Sequence, residues 1–210
     1  MIKELLKKTF LIRLWNGYNR LKNLYVNRYI IPSYEQKRSI LLHYRNLENI
    51  TVFIETGTFL GDTIHTFRND FETLVSFELS SELASKATKR FEDYSHIQII
   101  TGDSGELLPN VLKKFSKPCL FWLDGHYSSE FFIGAEFIKT AKGKKDTPII
   151  EELTAILHHP IKKHVILIDD ARCFNGENDY PTISEIKKFV KSIRPECQIG
   201  VKRDIIRITF

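Results

Sequence analysis

Hydrophobic and polar positions change their period at about residue 50 of this 210-residue chain. Between residues 11 and 29, Leu11, Leu14, Trp15, Tyr18, Leu21, Tyr25 and Tyr29 recur at helical spacing, with Arg13, Asn16, Arg20, Asn23 and Asn27 on the opposite face. That pattern predicts an amphipathic helix. Ile31 and Pro32 stop it, and Ser33 with Gln36 predicts a capping box for a second helix running to about Leu47. After Asn49 the texture becomes short apolar runs at Thr51–Glu55, Leu74–Glu78, Ile97–Ile100, Cys119–Leu123 and Val165–Ile168, separated by helical patterns. Such alternation predicts βαβ units and a parallel sheet. Thr147 before Pro148 reads as an N-cap with proline at the first helical position, and Thr182 with Glu185 as another capping box. Gln198–Val201 and Ile205–Phe210 are separated by three residues only, which allows an antiparallel hairpin and excludes a crossover helix.

The expected fold class is therefore α/β: a doubly wound, Rossmann-like seven-stranded sheet with a C-terminal antiparallel hairpin, preceded by N-terminal helices. The expected division is a helical segment over 1–49 and a catalytic domain over 50–210. Residues 128–146 lack periodicity, contain Lys139, Lys142, Lys144 and Lys145, and read as a lid following a strand end.

Composition narrows the function classes. With 42% hydrophobic and 27% charged residues the chain has the makeup of a folded domain, and no apolar run approaches the length of a membrane span. Three cysteines without CxxC spacing argue against a disulfide framework and for a reducing, cytoplasmic setting. The formal charge is +5, yet residues 1–50 hold ten Lys or Arg against three acids, while the rest hold 21 against 23. A nearly neutral catalytic domain argues against a nucleic-acid substrate. The basic, aromatic N-terminal helix is expected either to lie on the inner membrane face or to dock on the domain or on a second subunit.

Chemistry gathers at the strand ends. The first strand runs into Glu55-Thr56-Gly57-Thr58-Phe59-Leu60-Gly61, the second ends in Glu78, the third in Gly102-Asp103-Ser104, the fourth in Asp124-Gly125-His126 and the fifth in Asp169-Asp170. Five successive acids at carboxyl ends lie where open α/β sheets bind ligands, and Glu78 is placed to accept hydrogen bonds from ribose hydroxyls. The spacing Gly57–Gly61 departs from GxGxxG and so weakens a dinucleotide reading. Cys173 reads as a packed thiol, and His158 and His159 as partners of a helix C-terminus.

From Thr51 to Phe210 the chain resembles the class I S-adenosylmethionine-dependent methyltransferases. The phrases Glu55-Thr56-Gly57-Thr58, Trp122-Leu123-Asp124-Gly125-His126-Tyr127 and Ile168-Asp169-Asp170-Ala171-Arg172 resemble a bacterial group acting in surface-glycan and secondary-metabolite pathways, and more distantly the macrocin-type sugar O-methyltransferases. The resemblance implies that Glu55, Thr56, Gly57, Thr58 and Gly61 line the methionine part of S-adenosylmethionine, that Glu78 holds its ribose, and that Asp103 and Ser104 read its adenine. Asp124 borders the cofactor and, with Asp169 and Asp170, would hold a magnesium ion beside the acceptor hydroxyl. His126 stands where those relatives carry an acid, and is a general-base candidate; Asp124, His126 and Asp170 form the expected catalytic set. Tyr127 is expected to face the acceptor, and Arg172 either to bind an anionic acceptor group or to pair with Asp170. The expected activity is O-methylation of a sugar or glycan precursor, with a nicotinamide-dependent oxidoreductase and a non-catalytic membrane-associated assembly partner as alternatives.

Overall fold

The computed structural model describes residues 28–127, 130–133 and 136–210. Helix α1 spans Tyr34–Leu47, and Ser33 caps it: its hydroxyl accepts from Gln36 N while Gln36 Oε1 accepts from Ser33 N at 3.1 Å. The first predicted helix falls almost wholly outside the described residues, and with it the expected membrane or subunit contact. Among the described residues no helix is long and apolar enough to cross a membrane.

The alternating elements are β1 (Val52–Thr56), α2 (Asp62–Phe67), β2 (Thr73–Glu78), α3 (Ser81–Arg90), β3 (Ile97–Thr101), α4 (Ser104–Leu112) and β4 (Cys119–Leu123). After β4 come β5 (Glu130–Ile133), β6 (Glu136–Lys139), α5 (Ile149–His158), β7 (Val165–Ile168), a 3₁₀ turn at Ala171–Cys173, α6 (Ile183–Ile193), β8 (Gln198–Lys202) and β9 (Ile205–Thr209). The large sheet has the order β3-β2-β1-β4-β7-β9-β8; β3, β2, β1, β4 and β7 are parallel, and β9 inserts antiparallel between β7 and β8. This is the seven-stranded sheet with a terminal hairpin that the sequence pattern predicts.

Strands β1 and β4 are buried along their whole length, as parallel strands covered on both faces must be. One face packs Ile54, Phe121 and Ile166 against α4, α5 and α6; the other packs Phe53, Trp122 and Leu167 against Leu41 of α1 and Ile64 and Phe67 of α2. Helix α1 thus shares a core with the sheet.

Three local expectations need correction. The segment read as a lid contains a two-stranded antiparallel hairpin, β5–β6, in which Phe132 pairs with Phe137. Neither Glu130–Ile133 nor Glu136–Lys139 alternates strictly or forms an unbroken apolar run, the two signals a strand gives in sequence. Thr147 is not the cap of α5; Pro148 itself occupies that position, and Thr147 is buried. His159 does not serve a helix dipole. It is buried beside His164, with Nδ1 and Nε2 of the two rings 2.9 Å apart, and its own Nε2 lies 3.1 Å from Leu112 O. Cys119 N donates to His164 Nδ1 at 3.0 Å, so the proton on His164 sits on Nε2 and points to His159. Burial, with smaller contributions from His159 and Arg194, pushes the His164 pKa down to about 4. His158 does behave as expected, its Nδ1 lying 2.9 Å from Thr154 O in the last turn.

Candidate functional site

The parallel ladder carries the acids to one level. Gly57 N and Thr58 N donate to Phe77 O, Gly102 N to Glu78 O, Asp124 N to Thr56 O and Asp169 N to Leu123 O, so pairing continues past each strand end before the chain turns away. The turn after β1 needs Gly57: its φ is +86°, and a Cβ there would lie 2.6 Å from the carbonyl oxygen of Asp124. This close approach lets the loops after β1 and β4 touch.

A cavity of about 340 Å³ opens across these loops, and Gly57, Glu78, Asp103, Ser104, Asp124, His126 and Tyr127 all line it. Glu78 is held in its wall, Oε2 accepting from Phe59 N at 2.7 Å and Oε1 from Ser80 N at 2.9 Å. Burial raises its pKa, and these backbone donors oppose the rise. Asp103 caps α4, its Oδ1 accepting from Gly105 N at 2.9 Å.

Four residues expected at the cofactor lie off this cavity wall. Glu55 is buried beneath it, where Ser76 Oγ donates to Oε2 at 2.6 Å and shares a second 2.6 Å contact with the Thr58 hydroxyl. Thr56 is wholly buried under Gly125, whose Cβ position is 3.0 Å from Thr56 Oγ1. Gly61 has φ +80° and packs against the Phe91 ring, which a Cβ would meet at 2.7 Å. Desolvation pushes the Glu55 carboxyl up to about 8. The folded state therefore keeps a proton that the unfolded chain loses near pH 4.5. Stability from this group is complete below pH 4.5 and falls as pH rises to about 8, by up to about 1.4 kcal/mol per pH unit. Denaturant titrations of wild type and Glu55→Gln between pH 5 and 8 should show the wild type losing stability relative to the variant as pH rises.

Beside the cavity, His126 stands between two carboxylates: Nδ1 is 3.2 Å from Asp124 Oδ1 and Nε2 is 3.4 Å from Asp170 Oδ2. Burial lowers its pKa, but the hydrogen bond and charge of Asp124 and the charges of Asp170 and Asp169 outweigh burial and raise it. Asp170 adopts a left-handed conformation (φ +53°), and its Oδ1 accepts from Arg172 Nη1 at 2.8 Å. Of the two readings of Arg172, the structure contains the ion pair, and it adds Asp204, fully buried in the β8–β9 turn. Arg172 pairs with Asp204 through its guanidinium and donates to it from its backbone N at 2.8 Å.

Asp169 is separated from this group. Lys37, reaching in from α1, forms an ion pair with its Oδ2 and lies 5.6 Å from the centre of the Trp122 ring. Burial lowers the Lys37 pKa, and Asp169 more than restores it, leaving it raised. Of the acids expected to bind a metal, Asp124 and Asp170 converge, and His126 joins them: one ligand atom from each lies within 4.8 Å of the others. The mixed nitrogen and oxygen set favours a borderline cation over magnesium, which prefers oxygen throughout.

Sequence reasoning missed three participants. Glu152 on α5 is buried and accepts from Ser104 Oγ at 2.5 Å, with burial pushing its carboxyl up to about 7. Tyr180 has its ring centre 6.4 Å from that of His126. Lys37 looks in the sequence like one more surface lysine of an amphipathic helix. Its placement at i+3 from Tyr34 and i−4 from Leu41 was the available signal.

No protein-family model matches the chain, and no curated protein matches its sequence. Solved structures do match its fold. The O-methyltransferase TomG from Streptomyces achromogenes, in complex with S-adenosylmethionine, superposes over 85% of this chain and 80% of its own with TM-score 0.56 at 16% identity. The O-methyltransferase from Bacillus cereus, in complex with S-adenosylhomocysteine, covers 92% and 88% with TM-score 0.56 at 15% identity. A putative caffeoyl-CoA O-methyltransferase from Staphylococcus aureus covers 98% and 100% with TM-score 0.51 at 16% identity. At such identities the likeness establishes a Rossmann-like methyltransferase fold, and chemistry must be argued from the site.

Proposed function

We propose that this chain is an S-adenosylmethionine-dependent methyltransferase that alkylates a hydroxyl oxygen, with a sugar or glycan precursor as the acceptor class. The observation that carries the reading is the cavity over the ends of β1 to β4, which Glu78, Asp103 and Asp124 line without a Lys or Arg ion-pair partner among the described residues. An acidic, partly apolar cleft suits a sulfonium cation joined to a nucleoside. Glu78 retains lone pairs for ribose hydroxyls, and Gly57 keeps the floor bare of side chain.

S-adenosylmethionine, when bound, would supply an electrophilic methyl group to an acceptor oxygen and leave as the neutral thioether. His126 would take the acceptor's proton, and Asp124 and Asp170 would stabilise the imidazolium that results. A second reading rests on the convergence of Asp124, His126 and Asp170: they would hold a divalent ion that lowers the acceptor's pKa directly.

Calorimetric titration with S-adenosylhomocysteine tests the first reading. We expect saturable binding, absent with NADP, and Glu78→Ala should weaken it by roughly 1.5 to 3 kcal/mol, the range for a hydrogen bond to a charged group. Binding of NADP alone would overturn it. Methyl transfer that survives chelation undiminished favours the histidine base over the metal.

A further inference from the structure

A second, smaller cavity of about 170 Å³ lies between α1 and the strand ends. Tyr34, Lys37, Arg38 and Leu41, at the i, i+3, i+4 and i+7 positions of one helical face, form one wall, and Asp124 lies on the other. Among the described residues Asp124 alone lines both cavities. Its carboxylate, 3.2 Å from His126, therefore borders both spaces.

Their cations are held differently. In the first cavity the lysines are already used: Lys144 pairs with Glu106 at 2.7 Å, Lys145 pairs with Glu151, and Lys142, nearby, pairs with Asp146 at 2.8 Å. The lysine-rich segment after β6, the sequence's own candidate for recognising phosphate, is thus neutralised locally. Lys37 and Arg38 both line the second cavity. Lys37 is paired with Asp169. Arg38 has, among the described residues, one ion pair, a long and half-exposed contact to Asp70 at 3.6 Å. A guanidinium so weakly held presents its planar fork to any oxyanion that enters.

We propose that the second cavity binds the acceptor through a phosphate group, gripped by Arg38 within the field of Lys37, with the reacting hydroxyl directed toward Asp124 and His126. This deepens the methyltransferase reading and rests on it for the identity of the reaction, though not for the binding itself. The acceptor class is then a phosphorylated sugar, either free or carried on a lipid.

The full chain should be titrated by NMR with glucose 1-phosphate and with methyl glucoside, and tested for retention on phosphatidylglycerol and phosphatidylcholine vesicles. Expected is saturable binding of the sugar phosphate and none of the neutral glycoside, with affinity falling about tenfold in Arg38→Ala and partly restored in Arg38→Lys. Arg38 is exposed enough for these variants to fold, and S-adenosylhomocysteine titration of each reports the first cavity separately. Arg38-dependent binding of the soluble phosphate assigns a free acceptor. Arg38-dependent retention on the anionic vesicles alone assigns a lipid-linked one. Equal binding of the neutral glycoside, indifference to Arg38, or no binding to either phosphate source would overturn the proposal. Failure of S-adenosylhomocysteine to bind would instead overturn the cofactor reading and leave the phosphate result standing.

Discussion

Gly57→Ala is expected to abolish tight S-adenosylhomocysteine binding, lowering affinity at least tenfold, or about 1.4 kcal/mol, whereas Gly61→Ala leaves it unchanged. Both glycines have positive φ, so each alanine carries a backbone strain of roughly 1 to 3 kcal/mol. What the added methyl group meets separates them. At Gly57 it meets backbone: the carbonyl oxygen and carbon of Asp124 and the Cα of Gly125, none of which can swing aside. The loop after β4 must move, carrying the cavity floor and His126 with it. At Gly61 the methyl meets the edge of the buried Phe91 ring, so the cost falls on core packing, and neither residue lines the cavity. Thermal denaturation should record destabilisation in both variants, and calorimetry should record lost binding in one. Equal affinities in the two variants would show that the β1–β4 approach does not shape the cofactor cavity.

His126→Asn should cut methyl transfer by about 10² to 10⁴, the usual contribution of a positioned acid or base, while S-adenosylhomocysteine affinity stays within a few fold. The imidazole lies between Asp124 and Asp170, and if it takes the acceptor's proton as proposed, its loss falls on turnover. The pH profile gives an independent check. As a base His126 must be neutral, and its carboxylate neighbours raise its pKa above the ordinary 6.5. The wild-type rate should climb as pH rises through that raised value, and the residual rate of the variant should lack this limb. Radiolabelled methyl incorporation into the small molecules of an extract from the source cells measures both. A variant with unchanged rate would remove His126 from the mechanism, and one that has lost cofactor affinity would make it a binding residue.

Much of this site is legible along the chain because strand ends are punctuated. A buried parallel strand is an apolar run, and the first polar residues after it mark where the backbone leaves the sheet. Cys119–Leu123 and Val165–Ile168 coincide with their predicted limits, and Asp124, Asp169 and Asp170 follow directly. Capping boxes at Ser33 and Thr182 are equally local, since each is completed within four residues. Division of labour among the acids was not legible. Asp169 and Asp170 are neighbours in sequence, yet the left-handed turn at Asp170 sends one carboxylate to Lys37 and the other to His126 and Arg172. Glu55 and Glu78 both belong to strand ends, but the first is sealed off from the cavity and the second lines it.

Periodicity, capping and turn chemistry within a few residues made the strands of the large sheet, the hairpin at its end and the level at which acidic side chains collect readable along the chain, though not the β5–β6 hairpin. Only the tertiary structure decided which residues act together. Lys37 meets Asp169 across 132 positions, Ser104 meets Glu152 across 48 and Arg172 meets Asp204 across 32. No local rule encodes such pairs; they form because burying both sheet faces brings α1, α5 and the β8–β9 turn against the strand ends, where an unpaired buried charge would be too costly to leave.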